Sequence, residues 1–134
     1  MKVKIDEIEL KEIIMKICYE IGLRIEKEAV ENLIKGGNVD TGNLMRSIHV
    51  EELGYEVDVI VDCSYAGYVE FGTGAREKYP PYDAIRGWVE RKLGYKGKKA
   101  DIITWKIMNA IKRRGTKPHP FLRPAIDKVI SDLG

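Results

Sequence analysis

Apolar residues recur at three- and four-residue steps through Leu10, Ile14, Ile17, Ile21, Ile25, Ala29 and Leu33, with glutamates and lysines filling the opposite side. An α-helix returns to the same face after three or four residues, so this spacing predicts one long amphipathic helix from about Glu7 to Lys35. Asp6, with Glu9 three residues on, supplies a cap for its first amides. Gly36-Gly37 ends it, because glycine enters the left-handed conformation at little cost. Gly22 alone interrupts the stripe and marks the place for a kink.

Beyond the helix, Asp40 or Thr41 of the stretch Asn38 to Ile48 is placed to accept a hydrogen bond from the free amides of a short helix starting near Asn43. The period then changes to two. Ile48 and Val50 alternate with His49 and Glu51, and after Leu53-Gly54 the run Tyr55, Val57, Val59, Val61, Cys63 alternates with mostly acidic residues. This predicts two antiparallel strands joined by a tight turn, with one face polar and the other covered by the long helix. Ser64 to Gly74 reads as a helical turn closed by glycines, and Ala75 to Pro81 as a mobile loop. Two helices follow, about Tyr82 to Leu93 and Ala100 to Arg114, separated by Gly94 to Lys99. A proline-rich segment, Lys117 to Ala125, leads into a last helix ending near Leu133. Helix, hairpin and further helices in this order predict an α+β fold: a long N-terminal helix packed on a small antiparallel sheet, with more helices in the C-terminal half.

The 134 residues fit one domain, residues 1–134. A hydrophobic fraction of 44% and a charged fraction of 33% are those of a globular chain that folds unaided. The N-terminus places acidic residues where a signal peptide needs an apolar run, and no run approaches the ~20 apolar residues that span a bilayer. A cytoplasmic start and no membrane partner are therefore expected. Cys18 and Cys63 lack a neighbouring Cys or His at ligand spacing and read as reduced core thiols.

Charge is unevenly placed. Between Arg76 and Lys117 there are 13 Lys/Arg and 4 Asp/Glu, a balance of +9, and the remainder holds 10 and 17, a balance of −7. Such a division suits nucleic-acid contact, an acidic face meeting a basic one in a neighbouring subunit, or simply solvated helix faces.

Few residues suggest catalysis. Asp40-Thr41-Gly42 matches the triplet of a retroviral-type aspartic protease half-site, whose mechanism needs two aspartates sharing a proton across a dimer axis. That triplet should leave an apolar strand in a mostly β chain, whereas here it follows a helix end and helix capping accounts for it. His49 and His119 have no recognisable nucleophile partner. Gly72-Thr73-Gly74 lacks the lysine and serine, or the third glycine, of a phosphate loop. No enzyme activity, cofactor, metal or small-molecule substrate is expected. A DNA-binding alternative rests on the 96–117 segment, with Lys98, Lys99, Lys112, Arg113 and Arg114 placed to meet phosphates or an acidic partner. Against it, Trp105 falls within a helical turn of Ile102 and Met108, where an aromatic belongs to the core.

Three strings occur in order: Val39-Asp40-Thr41-Gly42-Asn43-Leu44 with Ser47-Ile48; Tyr65-Ala66-Gly67-Tyr68-Val69-Glu70-Phe71-Gly72-Thr73; and Pro118-His119-Pro120-Phe121-Leu122-Arg123-Pro124-Ala125. Together they resemble the tail-component, or head–tail joining, family of lambdoid-type siphophages named from a gene-ten product of such a phage. Asn43 departs from the basic residue usual in that family, and the helical stretch from Trp88 to Arg114 is longer than in its shorter members.

The resemblance implies a non-enzymatic virion protein of the neck or tail top, made in the host cytoplasm and carried into the particle. It implies a homo-oligomeric ring around the DNA passage, contacting head-connector and tail proteins. The residues it singles out are Asp40, Thr41, Gly42, Leu44, Ser47, Tyr65, Tyr68, Glu70, Phe71, Gly72, Thr73, Pro120, Phe121, Arg123 and Pro124. Among these, Tyr65, Tyr68 and Phe71 have the character of interface anchors, and Glu70 and Arg123 that of charged partners across a subunit boundary. The alternative is that Tyr65 and Phe71 cap the core of their own domain. Ala75 to Pro81 and Gly94 to Lys99 are the segments expected to order on docking.

Overall fold

The structure, a computed structural model, describes residues 1–37, 40–75 and 79–134. In chain order its elements are α1 (Glu7–Lys35), α2 (Asn43–Arg46), β1 (Ile48–Glu52), β2 (Val57–Val61), α3 (Ala66–Phe71), α4 (Tyr82–Trp88), α5 (Gly97–Arg114) and α6 (Leu122–Leu133). The α+β class expected from the periodicities holds. The residues group into two compact units, Met1–Ala66 with Phe121–Gly134, and Gly67–Pro120.

In the first unit α1 has the predicted bounds, and Asp6 accepts a hydrogen bond from the Glu9 amide at 2.8 Å, as an N-cap should. At the other end Gly36 stays right-handed and only Gly37 takes positive φ. β1 and β2 pair antiparallel with Ile48 opposite Val61, Val50 opposite Val59 and Glu52 opposite Val57. That register puts all five aliphatic side chains of these pairs on one face. α1 crosses this face at Gly22, which is buried: a Cβ there would stand 3.0 Å from Val50 Cγ1 and 3.4 Å from Val57 Cγ1. The glycine expected as a kink therefore serves close approach of helix to sheet, within an unbroken helix.

α6 runs antiparallel to α1. The Asn32 side-chain amide donates to the Phe121 carbonyl at 3.0 Å, and Lys128 Nζ donates to Glu28 Oε1 at 3.0 Å, so later residues of α6 meet earlier residues of α1. Among the described residues of this unit, Ala29, Leu33, Leu44, Ile48, Phe121, Ala125 and Val129 are the buried apolar ones. The apolar stripe of α1 is thus buried only toward its C-terminal end. Leu10, Ile14 and Ile17 remain 47%, 48% and 52% exposed, contrary to a core-facing stripe of uniform burial, because the sheet and α6 cover only part of a 29-residue helix. Cys18 and Cys63 are free thiols, half-buried and not enclosed in the core as expected.

In the second unit α4 continues into a π-helical turn, Val89–Leu93, ended by Gly94 at φ 76°, so the expected helix from Tyr82 to Leu93 is present with a wider last turn. α5 starts three residues earlier than the spacing predicts, and Gly97 to Lys99 are already helical, not linker. Val89, Ala100, Thr104 and Met108 are buried. The helical face that packs is set by Ala100, Thr104 and Met108, which turns Ile102 and Trp105 outward. Of the loop expected between Ala75 and Pro81, residues 76–78 lie outside the described residues. No helix among the described residues is long and apolar enough to cross a membrane.

Candidate functional site

In the first unit the first string wraps around α2. Gly42, at φ 82°, precedes the helix, and Thr41 Oγ1 accepts a long hydrogen bond from the Asn43 amide at 3.4 Å. Leu44 is 4% exposed and anchors this turn in the core. Ser47 Oγ donates to the Leu44 carbonyl at 2.6 Å, and the Ser47 carbonyl accepts from the Asp62 amide at 3.1 Å, tying α2 to the strand ends. The Asp40-Thr41-Gly42 triplet leads from a helix end into another helix, an arrangement unlike the strand-borne triplet of the protease reading. Val39, part of the same string, lies outside the described residues.

Tyr65 belongs to this neighbourhood. Partial burial, followed by its hydrogen bond with Cys63, holds its phenol above the ordinary tyrosine range, and the Leu44 backbone opposes that shift. On the polar face of β1, His49 Nδ1 pairs with the Ser47 carbonyl at 3.1 Å and Nε2 with Glu51 Oε1 at 3.2 Å. The Ser47 carbonyl, and then Glu51, favour the imidazolium and raise its pKa. These contacts give His49 a structural partner on each nitrogen.

In the second unit, α3 ends at Gly72, whose amide donates to the Tyr68 carbonyl at 2.9 Å. Thr73 then pairs with Thr116: the Thr73 amide donates to the Thr116 carbonyl at 3.1 Å, the Thr116 amide to the Thr73 carbonyl at 2.9 Å, and the two hydroxyls lie 3.0 Å apart. The His119 amide donates to the Val69 carbonyl at 2.7 Å, so the second string and the start of the third come together along α3. Glycine is required on both sides of the bridge, since a Cβ on Gly72 would stand 2.5 Å from the Thr116 carbonyl oxygen, and one on Gly115 would collide with the Thr73 carbonyl.

The string residues therefore separate by role. Tyr68 and Phe71 are 54% and 79% exposed, Tyr65 is 40% exposed, and Glu70 is buried. Phe71 does not cap a core. Phe121, 2% exposed, is core of the first unit, while Pro120 is exposed in the second unit and Pro124 is exposed in the first turn of α6, where a missing N–H costs nothing. Arg123 lies 3.5 Å from Asp127, an exposed pair within α6.

The basic segment acquires a neighbourhood that sequence spacing did not reveal. Arg86 donates to Asp101 at 2.7 Å and to Glu90 at 2.6 Å, and the Tyr82 hydroxyl donates to Asp101 at 2.9 Å. Arg86 and then Tyr82 hold the Asp101 carboxyl below its ordinary range. One guanidinium thus pairs with two of the acids near α5. Trp105, 47% exposed, packs edge-on against Tyr79 with ring centres 5.7 Å apart and at a tilt against Tyr82 at the same separation. Lys112 Nζ stands 4.3 Å from the Tyr79 ring centre, and Lys99 Nζ 5.0 Å from that of Tyr95. Lys98 and Lys99 occupy the first turn of α5, and Lys112, Arg113 and Arg114 the last. The lysines of the first turn oppose the helix dipole; those of the last turn complement it.

No group of three or more His, Cys, Asp or Glu side chains among the described residues could hold a metal ion. No curated protein and no solved structure matches the chain. One family model does, that described as "Bacteriophage HK97-gp10, putative tail-component", over residues 2–72. The matched stretch runs through α1, α2, the hairpin and α3 and includes the first string and the second as far as Gly72; the third string lies beyond it. A match over more than half of the chain, carrying two of the three strings in the elements expected of them, makes this protein a member of the HK97-gp10-like family of bacteriophage tail components.

Proposed function

We propose that this protein is a structural, non-enzymatic assembly component of a tailed phage or prophage particle, acting at the head–tail junction or the tail top. Its copies associate into a closed ring around the DNA passage, and its faces bind the neighbouring head-connector and tail proteins. The whole chain works as one assembly module, built in the host cytoplasm and retained in the virion. The observation that carries this reading is the family match over α1, the hairpin and α3.

Two features support it. Tyr68 and Phe71 project large aromatic surface from α3, which suits anchors of a protein–protein contact. The first unit carries 10 Lys/Arg against 16 Asp/Glu, a balance of −6, and the second 13 against 5, a balance of +8. Opposite charge on two surfaces favours head-to-tail contact between copies, the kind of interface that closes into a ring when its rotation allows. Native mass measurement of the purified protein mixed with its neighbouring virion proteins tests the proposal. Assembly into a multimer or a mixed complex is expected, and Phe71→Asp with Tyr68→Asp should abolish it; a chain that ignores every such partner refutes the reading.

A second reading, contact of α5 with phage DNA, is favoured by the exposed Trp105–Tyr79 pair beside Lys112. It predicts duplex binding that falls steeply with salt and is lost when Lys112, Arg113 and Arg114 become glutamate. Absence of binding at low salt ends it. Peptide cleavage at acidic pH that disappears in Asp40→Asn would instead revive the protease reading.

A further inference from the structure

The N-terminal half of α1 carries apolar residues that its own unit leaves in solvent. Leu10, Ile14 and Ile17 are each about half exposed, and Ile21 is half-buried. Their steps of four, three and four residues are those of a heptad seam, which faces a second helix lying alongside. Farther along α1 the neighbouring helix is α6. Because α6 runs antiparallel from Phe121 beside Asn32, past Lys128 beside Glu28, to Leu133, a rise of ~1.5 Å per residue brings its end level with roughly Leu23. The bare seam begins where α6 stops.

The positions that bound the seam indicate what covers it. Extending the same heptad by one step each way reaches Glu7 and Arg24, both exposed. The resulting series, Glu7, Leu10, Ile14, Ile17, Ile21, Arg24, is symmetric about its centre. Laid antiparallel on a second copy, Ile14 faces Ile17, Leu10 faces Ile21 and Glu7 faces Arg24, so apolar layers meet in the middle and opposite charges meet at both ends. Laid parallel, Glu7 would face Glu7 and Arg24 would face Arg24, and the like pairs repel. An antiparallel partner also runs in the direction of α6 and continues its packing along α1.

We propose that the free protein forms a two-fold dimer through antiparallel pairing of the N-terminal halves of α1. This goes beyond the assembly reading, because it concerns the chain before it meets any other virion protein and holds whether or not a ring follows. The contact is isologous, so each substitution acts twice.

Sedimentation equilibrium of the full chain, with far-UV circular dichroism as the check on folding, tests it. Wild type should have twice the 15.3 kDa chain mass. Ile14→Asp combined with Ile17→Asp, both at exposed positions, should be folded and monomeric. Glu7→Arg and Arg24→Glu should each weaken the dimer by about tenfold, since two pairs are lost at once, and the two together should restore it to within about threefold of wild type. The charge exchange involves exposed side chains only and keeps the test decisive should the aspartate variant misfold. A wild-type monomer at every concentration overturns the proposal. So does a dimer indifferent to the aspartates, or one that the paired charge exchange does not restore. A dimer of this kind that still ignores neighbouring virion proteins would sink the assembly reading alone.

Discussion

The Thr73–Thr116 bridge stands or falls with Gly115. This residue has φ 76° and ψ −168°, a region populated almost only by glycine, and its missing side chain leaves room for the Thr73 carbonyl. In Gly115→Ala the backbone must either keep this conformation, at about 1–3 kcal/mol, or leave it and break the bridge. A Cβ against a backbone carbonyl cannot be absorbed by a rotamer change, so the two Thr73–Thr116 backbone hydrogen bonds are lost as well, at about 0.5–1.5 kcal/mol each. Together these amount to roughly 2–6 kcal/mol. With a urea dependence of about 2 kcal/mol per molar, the unfolding midpoint followed by circular dichroism should fall by about 1–3 M. Amide hydrogen exchange at Thr73 and Thr116 should accelerate ahead of global unfolding, because the damage begins locally. Gly74→Ala is the control, since Gly74 has negative φ and nothing within 4 Å of a built Cβ. It should be neutral or stabilise by about 0.4–1 kcal/mol through the unfolded chain. A wild-type midpoint in Gly115→Ala, or equal losses in the two variants, would refute the argument.

Three further outcomes follow from the packing. Gly22→Val should cost about 1–3 kcal/mol in urea unfolding by overfilling the α1–sheet contact, and Val50→Ala in the same chain should recover more than half of the loss; a stabilised Gly22→Val would mean that the helix does not approach the strands as described. Phe121→Ala should cost about 3–5 kcal/mol in the same assay, a core effect unrelated to partner binding, and retention of wild-type stability would remove Phe121 from the core. Arg86 and Tyr82 lower the Asp101 pKa, so the contribution of this cluster is present above the ordinary carboxylate range and lost as pH falls through the depressed folded value. Acidification should therefore shift the NMR signal of the Trp105 indole, which packs on Tyr82, and Asp101→Asn should abolish that shift; an unchanged acid response in the variant would contradict the assignment.

Local pattern sufficed for most of the secondary structure. The three-and-four spacing with Asp6 and Glu9 located α1 to the residue, and alternation located both strands, because these signals depend on backbone geometry within a few positions. Trp105 departs from its local pattern and faces outward. Sequence can say that Ile102, Trp105 and Met108 share a side of a helix, but the side that packs was decided by the small residues Ala100 and Thr104, which let α5 approach its neighbours closely. Gly94 to Lys99 has the composition of a linker, yet helix α5 begins at Gly97 and includes Lys98 and Lys99.

The candidate contact surface was only partly legible. The three strings were visible in sequence, but their residues divide into core (Leu44, Phe121), backbone bridge (Gly72, Thr73) and exposed aromatics (Tyr68, Phe71), and no spacing rule distinguishes these. No local pattern marks the Arg86–Asp101 and Thr73–Thr116 contacts, because the partners lie 15 and 43 residues apart in the chain. By itself, then, the sequence determined the elements, the α+β class, the family and the separation of charge, all of which are local or additive properties. Only the tertiary structure decided which half of the α1 stripe is buried. Burial depends on how far the sheet and α6 reach along α1, and that reach is set by long-range packing that the periodicity of a single helix does not encode.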